Sequence, residues 1–306
     1  ALGVVVLVAW AWPKAATPTT TTARDAGAVV AADASTPPSP APAQAVAVPV
    51  DCVRLPGGTF MMGSPRGEGE ADEHPQHRVT VAPFCMDRTE VTVRAYRACV
   101  DAHGCANPSR VYVPSTNGNW DVFCNWGHNG YDTHPMNCVT AEEADAYCAW
   151  RHGRLPSEDE WEFAATGGTD RGYPWGSAAP SSANVNLCGD ECVRYARAAG
   201  HTFSGISGWT DRWPTTAPVG ELPAAGNTPE GLVGMAGNVW EWTRTNYGTY
   251  TTRGTGATEY DSVQNYRVCR GGCWDYYGGS VARARNRYWV DWTNGGVGFR
   301  CASEAR

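Results

Sequence analysis

Twelve cysteines constrain this 306-residue chain more than any other feature. All of them lie at or beyond Cys52, in an even count. A reducing compartment rarely accompanies such a count, so an oxidising one and several disulfides are expected. The regular patterning between the cysteines is sparse. The expected fold is therefore α+β with little regular secondary structure, its long loops pinned by disulfides, aromatic packing and bound ions.

Ahead of the cysteines the chain changes character. Residues 1–13, "ALGVVVLVAWAWP", are apolar but too short to span a bilayer alone. They read as the end of a transmembrane helix completed upstream, or as the apolar part of a signal peptide, with the first preferred. Residues 14–50 are Ala, Pro, Thr and Ser with almost no aromatics. Such a segment cannot bury enough apolar surface to offset the entropy of ordering, and reads as a disordered linker. Residues 51–306 hold nearly all the tryptophans and are long enough for a substantial core. A formal net charge of −7 without any Lys/Arg run excludes a nucleic-acid partner from the expectation. The expected placement is extracytoplasmic, tethered to a membrane through the N-terminus.

Three helices are legible. "TEVTVRAYRACVDAHG" (89–104) sets Val93, Tyr96, Ala98 and Val100 near one face, with Thr89 or Thr92 as N-cap and Gly104 as stop. "TAEEADAYCAWRHG" (140–153) carries a Thr140/Glu143 capping-box pattern and an inner face of Ala144, Tyr147 and Cys148. "PSEDEWEFAATGG" starts at Ser157 and stops at Gly167-Gly168. Its acids, Glu158, Asp159, Glu160 and Glu162, could form a catalytic cluster. The better reading is carboxylates stabilised at a helix N-terminus, with Trp161 in the core. "CVRLPGGTFMMGS" reads as a hairpin turning at Pro56-Gly57-Gly58, and "HRVTVAPFC", "RVCRGG" and "GVGFRCA" read as short strands. The stretches 107–134 and 172–229 read as long loops. His74 and His77, without a third ligand nearby, read as solvated loop histidines.

Eight motifs in order now point one way: "PGGTFMMGS", "DEHPQHRVTVAPFCMDRTEVT", "HPMNCVTAEEADAYCAWRHGRLPSEDEWEFAATGG", "YPWG", "APVG", "GLVGMAGNVWEWT", "RVCRGGCW" and "GFRCA". Together they resemble the formylglycine-generating enzyme, or sulfatase-modifying factor, family across about residues 51–302. The resemblance implies a C-type-lectin-like architecture, stabilised by disulfides and Ca²⁺. Its first calcium site falls on Asn184, Val185, Asp211 and Trp213, mixing carboxylate, amide and carbonyl oxygens as Ca²⁺ prefers. Its second falls on Gly234, Gly237, Val239 and Glu241, with Gly234 standing where Asn or Asp is usual. A family disulfide falls on Cys148 and Cys301. A second family pair would fall on Ala165 and Asn286 and is absent. Local staples Cys99–Cys105, Cys188–Cys192 and Cys124–Cys138 complete the expected set. Cys269 and Cys273 are then expected in disulfides, with Cys52 and Cys85 as partners.

The resemblance also locates the chemistry. Aerobic members bind Cu(I), a soft ion suited to thiolates, through two cysteines after the glycine pair, and oxidise a substrate cysteine to formylglycine. Those positions fall here on Tyr276 and Val281, and the family's serine falls on Cys273. No cysteine lies between Cys273 and Cys301, so Cu(I) is not expected. A reactive Cys273 is the remaining catalytic candidate. A binding groove is expected around Trp240, Trp274, Tyr276, Tyr277 and Arg285, from their density of rigid rings and polar groups. The expected function is a ligand-binding or sensory module, or a divergent enzyme, acting on a peptide or small molecule. The alternatives are an oxidase making formylglycine in a sulfatase, a non-haem iron oxygenase, and a retroelement-diversified binding protein of C-type-lectin-like fold.

Overall fold

A computed structural model describes residues 51–252, 258–290 and 293–305. The segments expected as membrane or signal sequence (1–13) and as linker (14–50) lie outside the described residues. The chain opens with β1 (Cys52–Leu55), β2 (Gly58–Met62), β3 (His77–Val81) and β4 (Phe84–Asp87). β1 pairs antiparallel with β4 and β2 with β3, so the expected β1–β2 hairpin does not form. The turn instead carries the chain from one sheet to another. Gly57 makes the crossing possible: its φ is +64°, and a Cβ there would meet the Val81 carbonyl oxygen at 2.4 Å.

The expected helices are present. α1 (Val93–Asp101) is capped by Thr92, whose side chain accepts from the Ala95 N–H. Its buried face is Val93, Tyr96 and Cys99, while Ala98 is exposed and Val100 half-buried. The helical repeat from Val93 and Tyr96 points Cys99 inward and rotates Ala98 away. α2 (Ala141–Trp150) has the reciprocal Thr140/Glu143 capping box and buries Ala144, Tyr147 and Cys148. α3 (Glu158–Thr166) starts at Ser157 and ends on left-handed Gly167. A fourth helix, α4 (Asp190–Ala198), corrects the reading of 172–229 as all loop. α4 buries Cys192 and Ala196, and its N-cap is Gly189, with no capping side chain to announce the start.

The C-terminal third is more extended than expected. β5 (Trp240–Thr252) and β6 (Thr258–Arg270) form a long antiparallel ribbon with a bulge between Trp242 and Gly248. β7 (Arg287–Val290) and β8 (Val297–Gly298) flank it, giving the order β7-β6-β5-β8. β9 (Ala302–Glu304) returns to the first sheet in the order β1-β4-β9. The fold is thus mixed helix and strand with much irregular chain, as the sparse patterning implies.

Two apolar clusters carry most of the interior. One packs α1 and α2 against Trp240, Trp242, Cys269, Val297 and Phe299; the other packs α3 against the strands of the first two sheets. Between them lie buried charges. Arg270 reaches Glu158 and Glu162 at 2.8 and 2.7 Å, and Arg287 reaches Glu158 at 2.7 Å, all with 0% side-chain exposure. Glu160 pairs with Arg154 at 2.6 Å. The dipole account of the α3 acids is therefore incomplete: three of the four are buried on arginines, Glu158 and Glu162 on partners more than a hundred residues away and Glu160 on nearby Arg154. His77 is also corrected. It is buried in β3, with Nδ1 on the Pro75 carbonyl, while His74 Nε2 meets the Glu68 carbonyl.

Five disulfides are present: Cys148–Cys301, Cys99–Cys105, Cys124–Cys138, Cys188–Cys192 and Cys52–Cys85. Because Cys52 and Cys85 close on each other across β1–β4, neither remains for Cys269 or Cys273, which are buried free thiols. Five such bridges mark an oxidising compartment. Among the described residues no helix is long and apolar enough to cross a membrane.

Candidate functional site

β6 ends at Arg270, and Gly271 and Gly272 follow with φ of +100° and +78°. A Cβ on Gly272 would lie 2.9 Å from the Val281 carbonyl oxygen, so the chain can fold back over its own following loop only with glycine there. This reversal delivers Cys273-Trp274-Asp275-Tyr276 to a cavity of about 460 Å³, a size typical of small-molecule pockets. The Trp274 N–H donates to the Asn238 carbonyl at 3.0 Å and its indole N–H to that of Gly295 at 2.9 Å. The Tyr276 carbonyl accepts from the Cys188 N–H at 2.8 Å. These bonds hold the loop against the 294–296 turn and the start of α4.

Trp120, Phe123, Trp240, Trp274, Tyr276 and Tyr288 supply the aromatic wall. Trp240 stacks on Tyr288 at 5.5 Å and meets Tyr276 edge-on at 5.7 Å. Tyr276 meets Tyr288 edge-on at 6.3 Å, and burial pushes the Tyr276 phenol up, so it stays protonated. The polar lining is Arg110, Cys273, Asp275 and Asn294. Cys273 donates its thiol proton to Asp275 Oδ1 at 2.8 Å. Burial pushes that thiol well up, and the Asp275 charge adds to the effect. A thiol held protonated in this way is a poor nucleophile, which argues against the reactive-Cys273 reading.

Of the expected groove residues, Trp240, Trp274 and Tyr276 line the cavity. Tyr277, the next residue, is exposed. Arg285 is not in the lining: it is buried against the Arg171 carbonyl, 3.6 Å from Asp170. The neighbouring Arg283 and Arg287 pair with Glu73 and Glu158. Tyr288 and Asn294 lie in the Trp-, Tyr- and Arg-rich stretch 274–296 that holds most of the expected groove, whereas Arg110, Trp120 and Phe123 come from a segment outside it. The available signal was "RVYVPSTNGNWDVF", apolar and aromatic residues in a loop with no helical or strand period.

Tyr276 and Val281 stand where the resemblance implies thiolates. Tyr276 forms pocket wall, and Val281 is buried in the apolar cluster. Of the two free thiols only Cys273 lines the pocket; Cys269 sits back in β6, opposite Trp242 and Tyr288. No group of three or more His, Cys, Asp or Glu is placed to hold a metal among the described residues.

The two calcium sets differ in fit. In the first, Asp211 is buried beside Glu191, whose Oε2 has no partner. Burial pushes the Asp211 carboxyl up to about 6, and the Glu191 charge adds to it. The Arg212 guanidinium lies over the Trp213 ring instead of on either acid. Asn184 Oδ1 accepts from the Ser181 N–H at 2.8 Å. Asp211 Oδ2 accepts from the Leu187 N–H and Oδ1 from the Trp213 N–H, so the oxygen left open for a divalent cation is Glu191 Oε2. The second set does not fit. Glu241 receives Arg300 on both oxygens and the Trp161 indole N–H on one, each at 2.7 Å. A Cβ on Gly234 would lie 2.6 Å from a Glu90 carboxylate oxygen, so a carboxylate fills the space of the missing ligand side chain. Arg300 already supplies the positive charge there.

Comparison with known proteins agrees with this geometry. The profile of the sulfatase-modifying factor enzyme 1-like domain matches residues 38–305. Inactive C-alpha-formylglycine-generating enzyme 2 of Bos taurus is 31% identical, covering 84% of this chain and 89% of that protein. Formylglycine-generating enzyme of Streptomyces coelicolor is 33% identical, covering 83% and 89%. The solved structure of PvdO from Pseudomonas aeruginosa shares the fold, with a TM-score of 0.61 at 24% identity over 83% of this chain and 94% of that one. From the glycine-paired loop, the Cys148–Cys301 bridge and these matches, the chain belongs to the formylglycine-generating enzyme, or sulfatase-modifying factor, family.

Proposed function

We propose that this domain binds a small-molecule or peptide ligand in the Trp240–Trp274–Tyr276 pocket and does not carry out copper–thiolate oxidation. One observation carries the reading: the phenol of Tyr276 forms pocket wall where the family's chemistry calls for a thiolate. The surface around the pocket supports it. Two large apolar side chains that remain exposed, Trp120 and Tyr288, line the cavity. Exposed rings at a cavity mouth are a feature of recognition sites. One relative is itself named as an inactive enzyme.

The domain acts outside the cytoplasm, as its five disulfides favour, tethered through its N-terminus. Ca²⁺ at Asn184, Val185, Asp211 and Trp213 pins the loop beside α4 and takes no part in chemistry.

Titration with Cu(I) and an aldehyde assay on a sulfatase-type cysteine peptide test the reading. Neither stoichiometric tight copper binding nor aldehyde is expected. Tight 1:1 copper with aldehyde formation returns the domain to the oxidase class.

A further inference from the structure

The pocket has an unbalanced charge. Among the described residues, Arg110 and Asp275 are the only charged side chains in its lining. Arg110 is already neutralised: Asp121 takes its Nε at 2.7 Å and its Nη2 at 2.6 Å. Its Nη1 donates to the Thr293 carbonyl. Asp275 has no such partner. The Cys273 thiol is the side chain that donates to it, and no Lys, Arg or His pairs with it among the described residues.

Resting on the pocket reading above, we propose that the site takes an organic ammonium ion. Asp275 holds the charge, and the faces of Trp240, Tyr276 and Tyr288 surround the apolar body. Aromatic faces attract cations through their quadrupole, and the attraction grows where water is excluded. An anion would meet the Asp275 charge, and a neutral ligand would leave that charge uncompensated in an aromatic cavity. The ammonium can belong to a free amine or to a lysine side chain of a peptide; the recognising chemistry is the same.

Isothermal titration calorimetry of the whole chain tests this with leucinamide, its deamino analogue 4-methylpentanamide, isopentylammonium and the blocked peptide acetyl-Gly-Lys-Gly-amide. Leucinamide is expected to bind at least about tenfold tighter than 4-methylpentanamide, a difference of about 1.4 kcal/mol. Asp275→Asn should erase that preference. Binding of the lysine peptide above leucinamide assigns a peptide source; the reverse assigns a free amine. Cys273→Ala frees Asp275 of its thiol partner and should keep the ammonium preference, so the test stands even where Asp275→Asn does not fold. Equal binding of leucinamide and 4-methylpentanamide overturns the ammonium proposal and leaves the pocket reading intact. So does a preference that survives Asp275→Asn. No binding of any cationic probe at millimolar concentration overturns it as well. The pocket reading itself falls separately, through copper binding with aldehyde formation.

Discussion

The guanidinium of Arg300 grips the carboxylate of Glu241 with two parallel bonds, Nε to Oε2 and Nη2 to Oε1, each 2.7 Å, and both side chains are 0% exposed. The same guanidinium donates to the carbonyls of Asp87, Arg88 and Val233. One side chain thereby joins β5, the end of β4 and the segment before the pocket. Removing one partner of a buried pair strands the other charge. Arg300→Leu is expected to cost about 3–5 kcal/mol in urea unfolding. Arg300→Lys keeps the charge but loses the fork, and should fall between the two. An Arg300→Leu protein as stable as the parent would refute this account.

The disulfides should differ in worth according to the loops they close. Cys148–Cys301 spans 153 residues and Cys188–Cys192 only 4. By unfolded-state chain entropy the first contributes roughly 5 kcal/mol and the second roughly 2 kcal/mol. Paired alanine variants, compared by denaturant midpoint, should keep that order. A larger loss from Cys188/Cys192 would show that strain or local packing outweighs chain entropy.

Thiol titration tests the cysteine assignment directly. Cys269 and Cys273 are buried, and burial pushes both thiols well above the usual range. Native protein should react slowly with Ellman's reagent, and unfolded, unreduced protein should show two thiols. Four thiols after unfolding would show one of the five bridges to be absent, and none would place Cys269 and Cys273 in disulfides.

A pH response is expected at His134. Its ring stacks on Tyr131 at 4.0 Å, and Nδ1 lies 2.9 Å from Thr216 Oγ1. Burial pushes its pKa down to about 4, and nearby His128 adds to the shift. The unfolded histidine takes its proton near pH 6.5. Stability from this group is therefore complete above about 6.5 and is lost as pH falls toward about 4, by a few kcal/mol. His134→Asn should melt below the parent at neutral pH, with the gap closing as pH drops to about 4.5. A gap that stays constant over that range would exclude His134 as the source.

The parts legible in the chain were those with local causes. Thr140 and Glu143 cap one another three residues apart, and Gly167 stops α3 because only a left-handed residue ends the turn there. The short-range bridges at Cys99–Cys105 and Cys188–Cys192 need little more than proximity along the chain. α4 escaped because Gly189 at its N-cap has no side chain to signal the start. The β1–β2 hairpin misled because Pro-Gly-Gly serves equally well to turn a strand back or to pass it to another sheet.

The amino-acid sequence by itself determined the family, the helix ends, the oxidising setting and the missing thiols at Tyr276 and Val281, because each depends on residue identity at fixed spacing. Only the tertiary structure decided what lines the pocket. Arg110 and Trp120 reach the Cys273 loop through contacts over more than a hundred residues, fastened by bonds such as Arg110 to Thr293 and Trp274 to Gly295. It also decided that Asp275 meets a thiol and no arginine, that Glu241 is taken by Arg300, and that Arg285 turns away from the groove. Charge pairing between distant segments depends on which side chains share a buried volume, and spacing along the chain carries no record of that.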